Sequence, residues 1–148
     1  MRRILDALRE PPGTSHPVDV GLRTEAVVTS RLLSVGFQIL QPCGFNHRYD
    51  LVLDLDGRFV RAQVKTGRLR DGKVQFKTCS VLSNTQRSVL RGYEDEIDVF
   101  LVYCAATDGI YAVPVDQASR GEMSLRVAET ANKQAVGIRW ASEFAVPA

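Results

Sequence analysis

Residues 48 to 65 read Arg-Tyr-Asp-Leu-Val-Leu-Asp-Leu-Asp-Gly-Arg-Phe-Val-Arg-Ala-Gln-Val-Lys, and the reading of this stretch decides the fold. Two alternating segments flank Asp56-Gly57, a dipeptide that tolerates the positive φ values of a two-residue hairpin turn. A two-residue loop there puts Leu55 opposite Arg58, Leu53 opposite Val60 and Leu51 opposite Ala62. One side of the ribbon is then Leu51, Leu53, Leu55, Val60, Ala62 and Val64, an apolar face suited to a core. The same register sets Asp50 opposite Gln63, and Lys65 projects from the same side two residues on. Directly opposed side chains have Cβ atoms about 4.5–5.5 Å apart, and a diagonal neighbour lies within reach of a lysine. A carboxylate, an amide and an ammonium therefore converge. A solvated polar face of a half-buried hairpin shows the same alternation, so spacing alone leaves both readings open.

At 148 residues the chain suffices for one domain with a core of its own. Hydrophobic residues make up 45% and charged residues 24%, the balance of a globular protein and not of a disordered one. No apolar run approaches the roughly 20 residues of a membrane-spanning helix. Charges interrupt the opening Met-Arg-Arg-Ile-Leu-Asp-Ala-Leu-Arg-Glu too early for a signal peptide. Cys43, Cys79 and Cys104 are odd in number and lack metal-type spacing, which points to a reduced, cytoplasmic compartment. A Gly-rich phosphate loop, a nucleophile elbow and a His/Cys zinc cluster are all missing.

Net charge is only +2, but it is unevenly spread. Between positions 58 and 91, nine basic residues stand against Asp71 alone, so this stretch carries +8 and the remainder is acidic. Such asymmetry suits a polyanionic partner, since phosphate contacts supply most non-specific affinity for nucleic acid. The candidates for contact are Arg48, Arg61, Arg68, Arg70, Lys73, Lys77, Arg87 and Arg91.

Pro11, Pro12, Gly13 and Pro17 mark residues 1–20 as an N-terminal arm, leaving 21–148 as the single domain. Helical spacing runs over 21–35, with Leu22, Val28, Leu32 and Val35 on one stripe and Gly36 as the stop. Glu25 falls on that stripe. A carboxylate on a buried helix face is costly unless paired, although a place near the first turn also compensates the helix dipole. Residues 37–40 read as a short buried strand and 41–47 as a loop, where His47 is either a base or a solvated side chain. Residues 73–78 alternate as a strand with Lys73, Gln75 and Lys77 outward, while 80–93 fit helix or loop equally. The apolar run 97–104 reads as a strand buried on both faces. The turn Thr107-Asp108-Gly109 leads to a second hairpin at 110–114, and residues 115–120 to a short helix. The tail packs Trp140 and Phe144 on the core as a last helix or strand.

Tyr49-Asp50-Leu51-Val52-Leu53-Asp54, followed by Arg61-Ala62-Gln63-Val64-Lys65-Thr66-Gly67, resembles the PD-(D/E)xK nuclease superfamily. Within it, the pattern is most similar to the group I intron-associated homing endonuclease branch, where a Gln takes the second acidic position. The proline of the family name is not adjacent: Pro42 lies eight residues before Asp50, and Tyr49 precedes it. The resemblance spans roughly residues 21 to 114. It implies an α/β fold with a restriction-endonuclease-like αβββαβ core, a mixed central sheet flanked by helices.

It also implies a metal-dependent DNA endonuclease using Mg2+ or Mn2+. Asp50, Gln63, the main-chain carbonyl of Val64 and Glu25 correspond to the metal ligands, and Glu25, Asp50, Gln63 and Lys65 to the catalytic set. Gln63 in place of an acid removes one negative charge, which weakens the metal site unless Glu25 compensates. The implied partner is double-stranded or branched DNA, bound by a homo-oligomer, dimer or tetramer. Two alternatives stay open: a Holliday junction resolvase-like nuclease, and a catalytically inactive DNA-binding protein of the same fold.

Overall fold

A computed structural model describes residues 4–13, 15–133 and 135–148. Helix α1 (Ile4–Arg9) buries no side chain. Helix α2 (Pro17–Ser34) starts four residues before the expected domain boundary. Pro17 opens it, its fixed φ suited to a first helical position, and the His16 ring accepts a hydrogen bond from the Val18 N–H at 3.3 Å.

The buried face of α2 also departs from expectation. Thr24, Val28 and Leu32 are its buried side chains, four residues apart, while Leu22 is 60% and Val35 50% exposed. Thr24 can replace a leucine inside because its hydroxyl donates to the Val20 carbonyl at 3.0 Å and lies 2.7 Å from the Thr66 hydroxyl. A buried hydroxyl so paired carries little penalty.

Ten strands follow: β1 (Gln38–Leu40), β2 (Leu51–Leu55), β3 (Arg58–Arg70), β4 (Lys73–Lys77), β5 (Ser80–Ser83), β6 (Ser88–Arg91), β7 (Val99–Cys104), β8 (Gly109–Pro114), β9 (Glu122–Arg126) and β10 (Ala145–Val146). The hairpin forms in the expected register, Leu51 against Ala62, Leu53 against Val60 and Leu55 against Arg58. Asp56 and Gly57 take φ of 53° and 88°, and the Asp54 carboxylate accepts from the Gly57 N–H at 2.7 Å.

The main sheet runs β1-β2-β3-β7-β8-β10. β3 and β7 are parallel and the other named pairs antiparallel, so the sheet is mixed. β3 continues past the main sheet to pair with β4, which in turn pairs with β9. Gly67 sits at this passage: a Cβ there would meet Val74 Cγ1 at 2.7 Å and Val102 Cγ1 at 2.9 Å.

This is the expected α/β arrangement, with one difference in the crossover from β3 to β7. Strands β4, β5 and β6 occupy it, where the αβββαβ order places the second helix. The undecided stretch 80–93 is largely a β5–β6 ribbon, its turn held by the Asn84 side chain accepting from the Arg87 N–H at 2.8 Å. Paired Val81–Leu90 and Leu82–Val89 favour strands over a helix. Residues 115–117 and 141–143 form short 3-10 turns.

The two faces of the sheet hold separate cores. Val28 and Leu32 of α2 pack on Leu51, Leu53, Ala62, Val64 and Leu101. On the other face Phe100, Val102 and Val113 pack beneath Val74, Phe76, Met123 and Leu125, with Phe144 at the margin. Strand alternation thus sends Ala62 and Val64 toward α2, and Gln63 and Lys65 toward the opposite side. None of the described helices is long and apolar enough to cross a membrane.

Candidate active site

Asp50 stands just outside the ladder that ends with Leu51 against Ala62. Its N–H still donates to the Ala62 carbonyl at 2.9 Å, while its carboxylate Oδ2 accepts from the Val64 N–H at 2.8 Å. A side chain thus fills the rung that a further β2 residue would have made. The incoming chain from 41 to 49 is loop, so β3 beyond Ala62 has an open edge on the β2 side. The N–H and C=O of one strand residue point the same way, so the Val64 carbonyl faces this edge as well.

Gln63 carries the least expected feature. Its side-chain oxygen is buried and has no hydrogen-bond partner among the described residues. Native proteins leave few such acceptors, because each costs about 1–3 kcal/mol. Lys65 projects from the same face of β3, and its ammonium donates to the Tyr93 hydroxyl at 3.1 Å.

Electrostatics tie Glu25 and Lys65 to Asp50. Burial pushes the Asp50 carboxyl up, against the Val64 hydrogen bond and the Lys65 charge, which pull it down. Burial also raises Glu25, and the Asp50 charge adds to the shift. The charge of the hairpin aspartate is thus felt at the helix glutamate, 25 residues earlier in the chain.

The oxygen donors expected for a metal are two carboxylates, an amide oxygen and a main-chain carbonyl. An all-oxygen set suits a hard divalent cation such as Mg2+ or Mn2+. No group of three or more His, Cys, Asp or Glu that could hold a metal occurs among the described residues. The buried, unpartnered oxygen of Gln63 fits a cation ligand. His47 does not join the cluster, because its ring nitrogen bonds the Cys43 carbonyl at 2.7 Å within its own loop.

The basic residues divide into two groups. Arg48 and Arg61, expected at the DNA surface, are engaged by carboxylates and carbonyls of the protein itself. The Arg48 guanidinium bonds Glu96, the Ser80 hydroxyl at 2.8 Å and the Gly92 carbonyl at 2.5 Å. Arg61 bonds the Asp98 carboxylate at 3.1 and 3.0 Å and the Asp95 carbonyl at 3.0 Å. The Arg61 hydrogen bond holds the Asp98 carboxyl below the usual range.

Arg68, Arg70 and Lys77 instead line an open hollow with Lys65, Gln75 and Glu122. Lys77 pairs with Glu122 at 2.8 Å and Arg91 with Glu96 at 2.6 Å. Lys73 lies on β4, and Arg87 is exposed at the turn of the β5–β6 ribbon. Sequence reasoning missed Tyr93, which it left in a polar connection. Its signal was that of a lone aromatic in an otherwise polar stretch.

A family model described as PD-(D/E)XK endonuclease matches residues 15–147. Among solved structures, a bacterial homing endonuclease, I-Ssp6803I, superimposes with a TM-score of 0.72 at 23% identity, over 88% of this chain and 89% of that one. At that identity the likeness speaks for the fold. No curated protein matches the chain.

Proposed function

Because the chain belongs to the PD-(D/E)XK endonuclease family, we propose that it is a metal-dependent DNA endonuclease of the homing type. Asp50, Gln63, the Val64 carbonyl and Glu25 hold the cation, and Lys65 acts beside it. The observation that carries this reading is the buried, unpartnered oxygen of Gln63, next to the residue whose N–H the Asp50 carboxylate binds. A bound Mg2+ or Mn2+ supplies charge neutralisation at the scissile phosphate and a more acidic water.

The chain's own residues do the rest. Burial raises both carboxyls in the free protein, and a bound cation would favour their charged forms. The Lys65 ammonium stabilises negative charge developing on the phosphate oxygens. Arg68, Arg70, Lys73 and Lys77 hold the DNA backbone on the surface that adjoins Lys65, and Arg87 and Arg91 extend it along the ribbon. A small domain covers a long duplex site by acting as a homo-oligomer whose symmetry matches the DNA. Three free thiols agree with a cytoplasmic setting.

Plasmid cleavage with Mg2+ or Mn2+, repeated with EDTA, tests the proposal. Asp50→Ala is expected to abolish cleavage and leave DNA binding intact. Equal cutting by Asp50→Ala and the parent would remove this site from the mechanism. A second reading, a DNA-binding protein without catalysis, draws on Gln63 standing at the position that the family pattern writes as D/E. Retained DNA binding with no metal-dependent cleavage selects it.

A further inference from the structure

We propose that Tyr93 is a positioning residue for Lys65, held in place by Arg48. The inference rests on Lys65 acting as proposed above. Tyr93 lies in the turn between β6 and β7, 5% exposed, with its ring edge-on to Phe100 at 5.6 Å and 88°. Two cations converge on that one ring. The Arg48 Cζ lies 4.0 Å from the centroid and the Lys65 ammonium nitrogen 4.7 Å. The same ammonium donates to the Tyr93 hydroxyl at 3.1 Å.

A lysine on four rotatable carbons does not keep its ammonium in one place unaided, because ordering such a side chain costs conformational entropy. Asp50 attracts that ammonium, and an ammonium that collapsed onto the carboxylate would be lost to the substrate and would occupy a cation ligand. Tyr93 supplies a competing anchor that is neutral. One of the three ammonium N–H groups goes to the phenol oxygen, and two stay available for a phosphate. The ring face adds a cation–π attraction.

Arg48 makes the anchor rigid. Its guanidinium is locked by Glu96, Ser80 and Gly92 while it stacks on the ring. Ser80 opens β5 and Gly92 follows β6, so both ends of the ribbon are tied to the plate that supports Lys65. This gives Arg48 a task in place of the DNA contact that its sequence position suggested.

The test uses Tyr93→Phe, which keeps the ring and deletes the hydroxyl, in protein labelled with 15N at the four lysines. The native protein is expected to show a slowly exchanging Lys65 ammonium resonance, assigned by its loss in Lys65→Arg. Tyr93→Phe is expected to broaden it to the level of the exposed lysines, with an unchanged melting temperature. In single-turnover cleavage the same variant is expected to be slower by about tenfold, the scale of one hydrogen bond to a charged group, with DNA affinity within about twofold.

Tyr93→Leu, which removes ring and hydroxyl together, is expected to slow cleavage further. A Lys65 resonance that is already exchange-averaged in the native protein, or is unchanged in Tyr93→Phe, overturns the proposal. The resonance decides the positioning whether or not the protein cuts DNA. Absence of cleavage by the native protein counts against the nuclease reading alone.

Discussion

Replacing Gln63 by methionine is expected to stabilise the metal-free protein and to disable it. The Gln63 side-chain oxygen is buried without a partner, and such an acceptor costs about 1–3 kcal/mol. Methionine has the same unbranched length and no polar atom at the end, so it returns most of that penalty without opening a cavity. In a domain of this size each kcal/mol moves the melting temperature by about 2–4 °C, so the expected rise is about 2–12 °C. The divalent cation provides the second measurement. A ligand that binds only the folded state adds about 2.7 kcal/mol at one hundred times its dissociation constant. Parent protein is therefore expected to melt higher as Mg2+ is added, and Gln63→Met to respond much less. Fluorescence-monitored melting of both proteins, with EDTA and across a Mg2+ series, makes the comparison. A lower metal-free melting temperature in Gln63→Met, with an undiminished Mg2+ response, would refute the reasoning. The oxygen would then have been contributing to the fold and not waiting for a cation.

Asp50 and Glu25 both have folded-state pKa values above their ordinary ones, by burial first. The stability that such groups contribute is present below the unfolded carboxylate range and is lost as pH rises through the folded values. Metal-free Asp50→Asn is thus expected to gain on the parent at neutral pH and to lose that advantage on acidification, as melting temperatures against pH will show. Gly67→Ala drives a methyl against Val74 and Val102, and overpacking of this kind costs about 1–3 kcal/mol, readable in urea denaturation. Arg68→Ala and Arg70→Ala are each expected to weaken DNA binding and to reduce the slope of log affinity against log salt by about 1. Arg61→Ala is expected to leave that slope unchanged, because its guanidinium is engaged with Asp98.

How much the sequence carried can be argued residue by residue. The hairpin, its turn and its register were readable because each is set within about ten residues, by a dipeptide that accepts positive φ and by a period-two alternation. That register places Gln63 and Lys65 on one face of β3, whereas Asp50 lies just outside the ladder and sets its carboxylate on the Val64 N–H. The family pattern added Glu25, which local spacing placed on a helix stripe without saying what it faced. Tertiary structure decided what depends on distant partners. Thr24 displaced Leu22 from the buried face because Thr66, 42 residues on, completes its hydrogen bonding. Arg48 and Arg61 found their ion-pair partners in Glu96 and Asp98, 48 and 37 residues away. Tyr93 came under Lys65 by the same long-range closure. Backbone pattern is local and therefore legible in a linear chain, whereas the partner that satisfies a buried hydroxyl, a guanidinium or an ammonium is chosen by the folded surface around it.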